Sequence, residues 1–367
     1  MDENILPIWR PDAKAVLMDK KARASLKRYF DVMEDDKSAK FLIAKKLPAN
    51  FNKNDSLTKL WKLHEQLTQE FFLLENKLDT RQQNLEELPS PESSFLDLKL
   101  EIANRILESC HLCTRRCGSD RLKGELGYCR CGTKAKVSTI FSHTGEEPEL
   151  VPSGTIFTLG CTLRCLHCQN WSISQWFESG KLYSTWQLAL AVEQLRRGGC
   201  RNVNLVGGDP TSWLSKWLET FRYVDVNVSV VWNSNSYYSE ETAKLLAGFV
   251  DVYLLDFKYG PKGCAEKLSD APDYWIACTR NHVYAKKYGE LIIRVLVLPS
   301  HLECCTKPIL NWISESLGES VRVNLMFQYR PEWRAHEIPE LRRCLTETER
   351  SRAVELAKEA GLTNFIT

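Results

Sequence analysis

Apolar residues recur every three or four positions near the amino terminus, which predicts amphipathic helices there. Asp55-Ser56 supplies an N-cap signal for the first of them. The face that follows carries eight residues: Leu57, Leu60, Trp61, His64, Leu67, Phe71, Leu74 and Leu78. We expect this face to pack on the main domain rather than to serve a dedicated partner. A second helix is predicted from about Ser94 to Ser109, after a Leu-Pro-Ser-Pro break at 88–91.

From about residue 155 onward, short β-branched runs alternate with amphipathic segments. The runs span residues 155–160, 202–206, 228–232, 251–257, 291–298 and 321–329. Helices are predicted over 184–197 and, as a closing element, over 346–360. Strands that alternate with helices predict βαβ units and a parallel sheet. Six strands form either an open doubly wound sheet or part of a barrel, and in both cases the active site lies at the carboxyl ends of the strands.

These patterns divide the chain into three segments. Residues 1–95 form a helical extension, residues 96–150 a cysteine-rich lead-in, and residues 151–367 an α/β domain that ends in the closing helix. With 43% hydrophobic and 26% charged residues, the composition is that of a globular protein and excludes wholesale disorder.

Charge and hydropathy remove several functional classes. The formal net charge of +2 excludes a strongly basic nucleic-acid coat, so no nucleic-acid partner is predicted. The longest apolar stretches fall short of the roughly 20 residues that span a bilayer, so no membrane partner is predicted. The acidic start at residues 1–4 lacks the apolar region of a secretory signal. A cytoplasmic protein with reduced thiols is therefore expected.

Eight of the fourteen cysteines fall between Cys110 and Cys168, and such clustering indicates metal ligation. Cys161, Cys165 and Cys168 follow the first predicted strand with the spacing Cys-x3-Cys-x2-Cys. Three thiolates on one short loop can hold three irons of a cubane cluster and leave the fourth iron free to chelate a small molecule. Closed ferredoxin clusters and structural zinc sites use four ligands instead. A zinc site or unligated thiols remain the alternatives.

This loop, with the ring of His167 just before its last cysteine, resembles the radical S-adenosylmethionine (SAM) superfamily. Within that superfamily, the surrounding residues resemble the PflX branch, which is related to pyruvate formate-lyase-activating enzyme. The matching segments are 143–148, 153–157, 168–170, 206–211, 253–259, 271–274, 294–299 and 324–331. The resemblance covers about residues 105–365, and the first 100 residues match nothing.

The resemblance implies a partial (β/α)6 radical SAM barrel. It also implies a 4Fe-4S cluster whose open iron holds the amino and carboxylate groups of S-adenosylmethionine. One electron then gives methionine and a 5′-deoxyadenosyl radical, which abstracts a hydrogen atom from the substrate. A low-potential donor such as flavodoxin or ferredoxin would supply that electron. The substrate is unknown, and by analogy to activating enzymes it includes a backbone glycine of a partner protein or peptide.

Several residues at the predicted strand ends are candidates for cofactor binding. Gly207, Gly208, Asp209 and Pro210 end the second predicted strand, and paired glycines there let a ligand approach the backbone. The resemblance places this segment at the methionine amino group. A plain tight turn is the alternative.

Polar residues at the next strand ends extend the candidate set. Asp256 and Lys258 alternate on the fourth predicted strand and share one face. They either reach the cofactor's carboxylate and ribose region or form a structural salt bridge. Asn233, with Asn235, ends the third predicted strand, where amides suit a ribose hydroxyl. Arg294 interrupts the fifth, and its cation needs either the cofactor carboxylate or an internal acid.

The sequence departs from the family after the glycine-rich segment. Relatives commonly have Pro-His where this chain has Ser212-Trp213. Because of the change at Ser212-Trp213, the substrate of this protein should not be inferred from the substrates of its relatives.

His301 and Glu303 follow the fifth strand and fit either the mouth of the barrel or its surface. The adjacent Cys304 and Cys305 are interpreted as buried, inert thiols, with a redox role at the mouth as the alternative.

A second group of cysteines precedes the barrel. Cys110, Cys113, Cys117 and Cys129 have the spacing Cys-x2-Cys-x3-Cys-x11-Cys, which suits a closed metal site that holds either zinc or a second iron–sulfur cluster. Unmetallated thiols are the alternative. Four basic residues make this segment either a solvated face or a docking site for an acidic reductase: Arg115, Arg116, Arg121 and Lys123.

Two functional classes follow from the sequence. The first is a radical SAM enzyme. The second is a non-catalytic iron–sulfur or zinc protein that binds a partner or carries electrons, and it predicts no response to S-adenosylmethionine.

Overall fold

A nine-stranded sheet organises the computed structural model, which describes residues 9–367. The strands are β1 (Lys136–His143), β2 (Ser153–Thr158), β3 (Lys181–Leu182), β4 (Asn202–Gly207), β5 (Ser229–Ser234), β6 (Val252–Phe257), β7 (Glu290–Leu296), β8 (Arg322–Met326) and β9 (Phe365–Ile366). Their order in the sheet is β3-β1-β2-β4-β5-β6-β7-β8-β9. The acidic start at 1–4 lies outside the described residues.

All strands from β2 to β9 in this order pair in parallel, whereas β1 pairs antiparallel with both β2 and β3. The six predicted runs correspond to β2 and to β4 through β8. Their residues are buried along almost their whole length, as expected for parallel strands covered by helices on both faces. The α/β fold with an open, parallel-rich sheet, as in a partial barrel, is therefore confirmed.

Helices cover the sheet and fill the amino-terminal extension. They are α1 (Pro11–Ala15), α2 (Lys20–Ser25), α3 (Lys27–Met33), α4 (Lys40–Lys46), α5 (Leu57–Asp79), α6 (Phe95–Ile106), α7 (Trp171–Ser174), α8 (Thr185–Arg197), α9 (Leu214–Phe221), α10 (Glu240–Leu246), α11 (Cys264–Ser269), α12 (Tyr274–Tyr288), α13 (Lys307–Leu317) and α14 (Glu347–Glu359). Across residues 9–367, none of them combines the length and the apolar character that a membrane span requires.

The sequence signals for the longer helices are used as expected. Ser56 caps α5 through the backbone N–H of Lys59, and Ser94 forms a capping box with Asp97 at the start of α6. The apolar face of α5 is buried in the main core together with α6 and the helices beside β4 and β5. The closing helix is α14, which Thr346 caps. The helix predictions are therefore confirmed to within a few residues.

The first helices close the amino-terminal end of the sheet. Leu26, Tyr29 and Phe30 pack against Val231 and Val252, which lie inside the barrel. The hydroxyl of Tyr29 donates to the backbone oxygen of Glu149 (3.1 Å) and accepts from the side chain of Asn202 (3.0 Å), the first residue of β4. The helices over residues 20–33 thus cover the end of the barrel opposite the carboxyl ends of the strands.

Candidate active site

The cysteine loop lies at the carboxyl end of β2. Cys161 and Cys165 are buried and Cys168 is half-buried, and all three line one cavity of about 330 Å³. This volume lies at the lower end of the range for ligand sites. Burial raises the pKa of the Cys165 thiol and raises that of Cys168 to about 11. Thiols of this kind ionise only when a metal compensates their charge.

Each of the three sulfurs has a polar side chain within hydrogen-bond distance. The side-chain amide of Asn235 donates to Sγ of Cys161 (3.4 Å), and the hydroxyl of Ser269 donates to Sγ of Cys165 (2.8 Å). Ser174 lies 3.2 Å from Sγ of Cys168. Hydrogen bonds to cluster sulfurs are one way in which proteins adjust an iron–sulfur potential. Neither Ser174 nor Ser269 was predicted from the sequence as part of the site.

The three sulfurs are not grouped around a single ion. The three thiols do not all lie within 4.8 Å of one another. Two sulfurs on a single tetrahedral zinc would be about 3.8 Å apart, since each lies about 2.3 Å from the metal. The donor set, three cysteines at a cavity wall, therefore suits irons at separate corners of a cubane better than one ion.

Seven of the nine predicted cofactor-binding residues line the same cavity: His167, Gly207, Gly208, Asn233, Asp256, Lys258 and Arg294. Six of them arrive there on the ends of β4, β5, β6 and β7, as the parallel topology requires, and His167 arrives on the cysteine loop that follows β2. The other two, Asp209 and Pro210, are buried behind the cavity wall. Asp209 accepts hydrogen bonds from Ser234 and from the backbone N–H of Asn235 (both 2.9 Å), so it positions residues that do line the cavity.

Close packing of the backbone requires glycine at both Gly207 and Gly208. A Cβ at Gly207, whose φ is +152°, would collide with Thr158 of β2, and one at Gly208 would collide with the backbone of Gly160. The end of β4 thus lies directly against the start of the cysteine loop. Only glycine permits this approach.

A charged network crosses the floor of the cavity. Asp256 accepts from Nζ of Lys258 (2.6 Å) and from Nε of Arg294 (2.9 Å), and Arg294 also reaches Glu146 (3.4 Å). Burial alone would raise the pKa of Asp256, but the two cations outweigh it and hold this pKa below its usual value. Arg294 also donates to the side chain of Asn233. Internal acids therefore partner Arg294, and Asp256 and Lys258 form the salt bridge that was the alternative to a cofactor contact.

His167 is part of a buried hydrogen-bonded chain that ends on the cysteine loop. Its Nε2 lies 2.7 Å from the hydroxyl of Tyr259, which contacts Ser269, the donor to Cys165. Burial, followed by the charge of Lys258, lowers the pKa of His167 to about 3. The ring is therefore neutral at physiological pH and links the loop to the end of β6.

Two acidic residues were not predicted for the site. Glu146 lines the cavity, and Glu147 accepts from the side chain of Asn324 (2.8 Å). Burial raises the pKa of Glu147, and its second carboxylate oxygen is buried without a hydrogen-bond partner among the described residues. Both belong to the segment 143–148 that carries part of the family resemblance, so the motif contained the signal while their roles did not follow from it.

The upstream cysteines lie in a loop that packs on the cysteine triplet. Cys110 is buried, Cys113 and Cys129 are half-buried, and Cys117 is exposed. Arg115 donates to the backbone of Thr162 (2.8 Å), which joins the two loops. Within the described chain, no three of these four thiols lie within 4.8 Å of one another. The compact sulfur arrangement of a zinc site is thus not formed in this structure.

The basic residues of this loop have internal partners. Arg115 stacks on Tyr128 and pairs with Asp270, Arg116 pairs with Glu241, and Lys123 pairs with Asp120. Arg121 is buried and donates to the backbone oxygen of Ser212 (2.8 Å). These contacts neutralise much of the positive charge that the sequence displays.

Comparison with known proteins identifies the family. The Radical SAM superfamily matches residues 155–313. The uncharacterized protein MJ0674 of Methanocaldococcus jannaschii is 43% identical over 343 residues, which cover 92% of this chain and 98% of that protein. The uncharacterized protein MJ0808 of the same organism is 24% identical over 270 residues, which cover 67% of this chain and 78% of that protein.

Among solved structures, this fold is similar to Streptococcus suis SuiB. With the precursor peptide SuiA bound, SuiB aligns with a TM-score of 0.41 and 14% identity, over 56% of this chain and 46% of that one. A second SuiB structure aligns with a TM-score of 0.37 and 17% identity, over 58% and 47%. The chain thus spans about half the length of SuiB. The match over residues 155–313 covers the strands that carry the cysteine triplet and the charged network, so the chain belongs to the radical SAM superfamily.

Proposed function

We propose that this protein is a radical SAM enzyme that cleaves S-adenosylmethionine reductively and abstracts a hydrogen atom from a substrate. The observation that carries the proposal is the convergence of three cysteines on one cavity with a buried charged network, at the carboxyl ends of the parallel strands. The family match over the same residues supports it.

Cys161, Cys165 and Cys168 would hold the 4Fe-4S cluster. When bound, the cluster supplies the electron that cleaves S-adenosylmethionine to methionine and a 5′-deoxyadenosyl radical. The protein's own residues orient the cofactor and exclude water. Lys258 and Arg294 present cations where a carboxylate would enter, and Asp256 keeps both in place through short ion pairs (2.6 and 2.9 Å). The helices at the opposite end of the barrel close it to solvent.

The proposal is tested on the full chain, reconstituted anaerobically with iron and sulfide. We expect a brown protein that releases 5′-deoxyadenosine when dithionite and S-adenosylmethionine are added together, and none when either is left out. Chromatographic quantification of the nucleoside measures this directly. A protein that binds iron but yields no nucleoside would instead fit the non-catalytic class of metal protein.

In the cell, we propose that flavodoxin or ferredoxin supplies the electron, because the cleavage needs one electron from a low-potential donor. The upstream cysteines are proposed to hold a second metal centre. Their wide spacing is more compatible with an iron–sulfur cluster than with zinc. An iron count above four per chain in the reconstituted protein would support the cluster, and a zinc that is lost in Cys113→Ala would instead favour a structural zinc site at the upstream cysteines.

We further propose that the substrate is a protein or peptide, attacked at a glycine as in activating enzymes. Aromatic side chains beside the cavity support this substrate class. Trp171 and Trp333 stack with ring centroids 4.9 Å apart, and the largely exposed Phe177 packs on both. They lie within a few residues of Asn170 and Tyr329, which line the cavity. Exposed aromatic clusters of this kind commonly bind polypeptide.

Deuterium transfer tests the substrate class. With candidate peptides deuterated at glycine, we expect deuterium in the released 5′-deoxyadenosine. Trp333→Ala should lower transfer at limiting peptide about two- to twelvefold, since one aromatic contact contributes about 0.5–1.5 kcal/mol. Cleavage without peptide should be unchanged.

The matched control is Trp186→Ala. Trp186 is 55% exposed on α8 and pairs with Tyr223, outside the residues that line the cavity. It should transfer deuterium like the unmodified protein. Equal transfer by Trp333→Ala and Trp186→Ala would contradict a role for the aromatic cluster, and deuterium from a small molecule instead of any peptide would contradict the substrate class.

A further inference from the structure

A second set of metal-ligand side chains lies outside the cofactor cavity. Cys264 begins α11, just after β6, and His301 and Cys304 follow β7. One sulfur from each cysteine and one ring nitrogen of His301 all lie within 4.8 Å of one another. None of the three lines the cavity of the cysteine triplet. The two cysteine groups of the sequence do not include this set.

The sulfur separation is that of a mononuclear site. Sγ of Cys264 and Sγ of Cys304 are 3.8 Å apart. Two thiolates about 2.3 Å from a tetrahedral zinc lie about 3.8 Å from each other. The pair therefore has the separation that a single ion needs.

The histidine is held in a form that can bind a metal. Nδ1 of His301 lies 2.7 Å from the backbone oxygen of Pro299. A carbonyl oxygen can only accept, so Nδ1 carries the hydrogen and Nε2 keeps a free lone pair. Metal-binding histidines are commonly oriented through such a bond to a backbone oxygen.

The local backbone is unusual at this position. Residues Leu302–Thr306 form a π-helical turn in which the N–H of Thr306 donates to the oxygen of His301 (3.3 Å). Such turns occur frequently at functional sites. This one places Cys304 against the segment after β6, where a side chain at Gly260 would collide with the backbone of Cys304. The close packing of the segment after β6 on the π-helical turn therefore brings the thiols of Cys264 and Cys304 together.

We infer that Cys264, His301 and Cys304 form a binding site for a divalent zinc-type cation. Two thiolates and one imidazole are a ligand set for zinc, and three protein ligands leave one tetrahedral position for water or a substrate atom. Binding releases one proton from each thiol, so that the two thiolates balance the charge of the cation. The site is independent of the cluster proposed above, and it replaces the interpretation of Cys304 as an inert thiol.

The test measures zinc and iron on the same cluster-loaded preparations. The protein is reconstituted anaerobically, exposed to excess zinc alone, freed of loose metal by gel filtration and analysed by mass spectrometry. We expect Cys264→Ser and His301→Ala each to retain one zinc per chain fewer than the unmodified protein, with the same iron content. Zinc held elsewhere, for instance by the upstream cysteines, is common to all variants and cancels in the difference.

Cys344→Ser is the matched control, because Cys344 is an exposed thiol outside this set, and it should lose no zinc. Equal zinc content in all four proteins would overturn the inference. So would a Cys264–Cys304 disulfide in the anaerobic protein, detected after denaturation with a chelator as two thiols that resist alkylation until a reductant is added. Neither result bears on iron content or on nucleoside release, which test the radical enzyme separately.

Discussion

Replacing Cys165 with alanine is expected to abolish the release of 5′-deoxyadenosine, a loss of at least about a thousandfold. Cys165 is 8% exposed, and its sulfur accepts the hydrogen bond from Ser269 at the cavity wall. Only two thiols would remain at the cavity, which cannot anchor three irons. Iron content and nucleoside release are measured together on the anaerobically reconstituted variant. We expect both to fall, with iron reduced by about four per chain.

The control for this variant is Cys200→Ala. Cys200 is as deeply buried, at 1% exposed, but it lies just before β4, at the opposite end of the sheet. It should keep its iron and its product. Cys113→Ala should also release some product if the upstream site is structural. Full nucleoside release by Cys165→Ala would show that the triplet does not carry the chemistry.

The fold was predictable from sequence where the signal is local. Each of the six predicted strands is a short β-branched run, and burial on both faces makes such runs nearly continuous in apolar residues. The cysteine triplet and Gly207-Gly208 could be found because their spacing is short. Position within a parallel sheet then brings strand ends together, so the cavity could be expected before its geometry was known.

The features that could not be predicted depend on contacts between residues that are far apart in the chain. β1 alternates between buried and exposed residues only weakly, and its partner β2 defines it as a strand. Glu146 meets Arg294 across 148 positions of chain, so neither residue identifies the other. Asp209 has the right position for a cofactor contact, yet its carboxylate turns toward Ser234 and the backbone of Asn235. Side-chain direction behind a strand end does not follow from spacing alone.

The role of the amino-terminal extension was equally hidden. The apolar face of residues 57–78 predicted that the extension docks on the main domain, but it did not indicate which part of the domain the extension contacts. Polar contacts set the location: the backbone N–H groups of Arg28 and Tyr29 donate to the carboxylate of Glu290, the first residue of β7 (2.7 and 2.6 Å). Those contacts fix the extension to the amino-terminal strand ends, opposite the candidate active site. They also make the helices over residues 20–33 a source of stability at this end of the sheet.

Arg28 makes the strongest case for that stability, and Arg28→Met is expected to lower the free energy of unfolding by about 3–5 kcal/mol. Its guanidinium pairs with Glu75 (3.2 Å), Asp79 (3.1 Å) and Asp251 (3.2 Å), and its side chain is 14% exposed. Methionine fills similar space but leaves the carboxylate of Asp251, whose side chain is 2% exposed, with less compensation. Burial already raises the pKa of Asp251 against the cations that lower it, so loss of one cation raises this pKa further.

Urea unfolding measures the change, and Arg23→Met is its matched control. Arg23 lies on the neighbouring helix and pairs with Glu34 at 3.0 Å, but the two side chains are 36% and 41% exposed. An ion pair in that setting contributes at most about 1 kcal/mol, because water and salt screen it. The difference between the two variants therefore measures the buried ion-pair network of Arg28, which links Glu75 and Asp79 of α5 to Asp251, just before β6. If both lowered stability equally, the ionic contact of Arg28 with Asp251 would not be what fixes the extension to the strand ends, and the apolar packing of Leu26, Tyr29 and Phe30 would have to account for it.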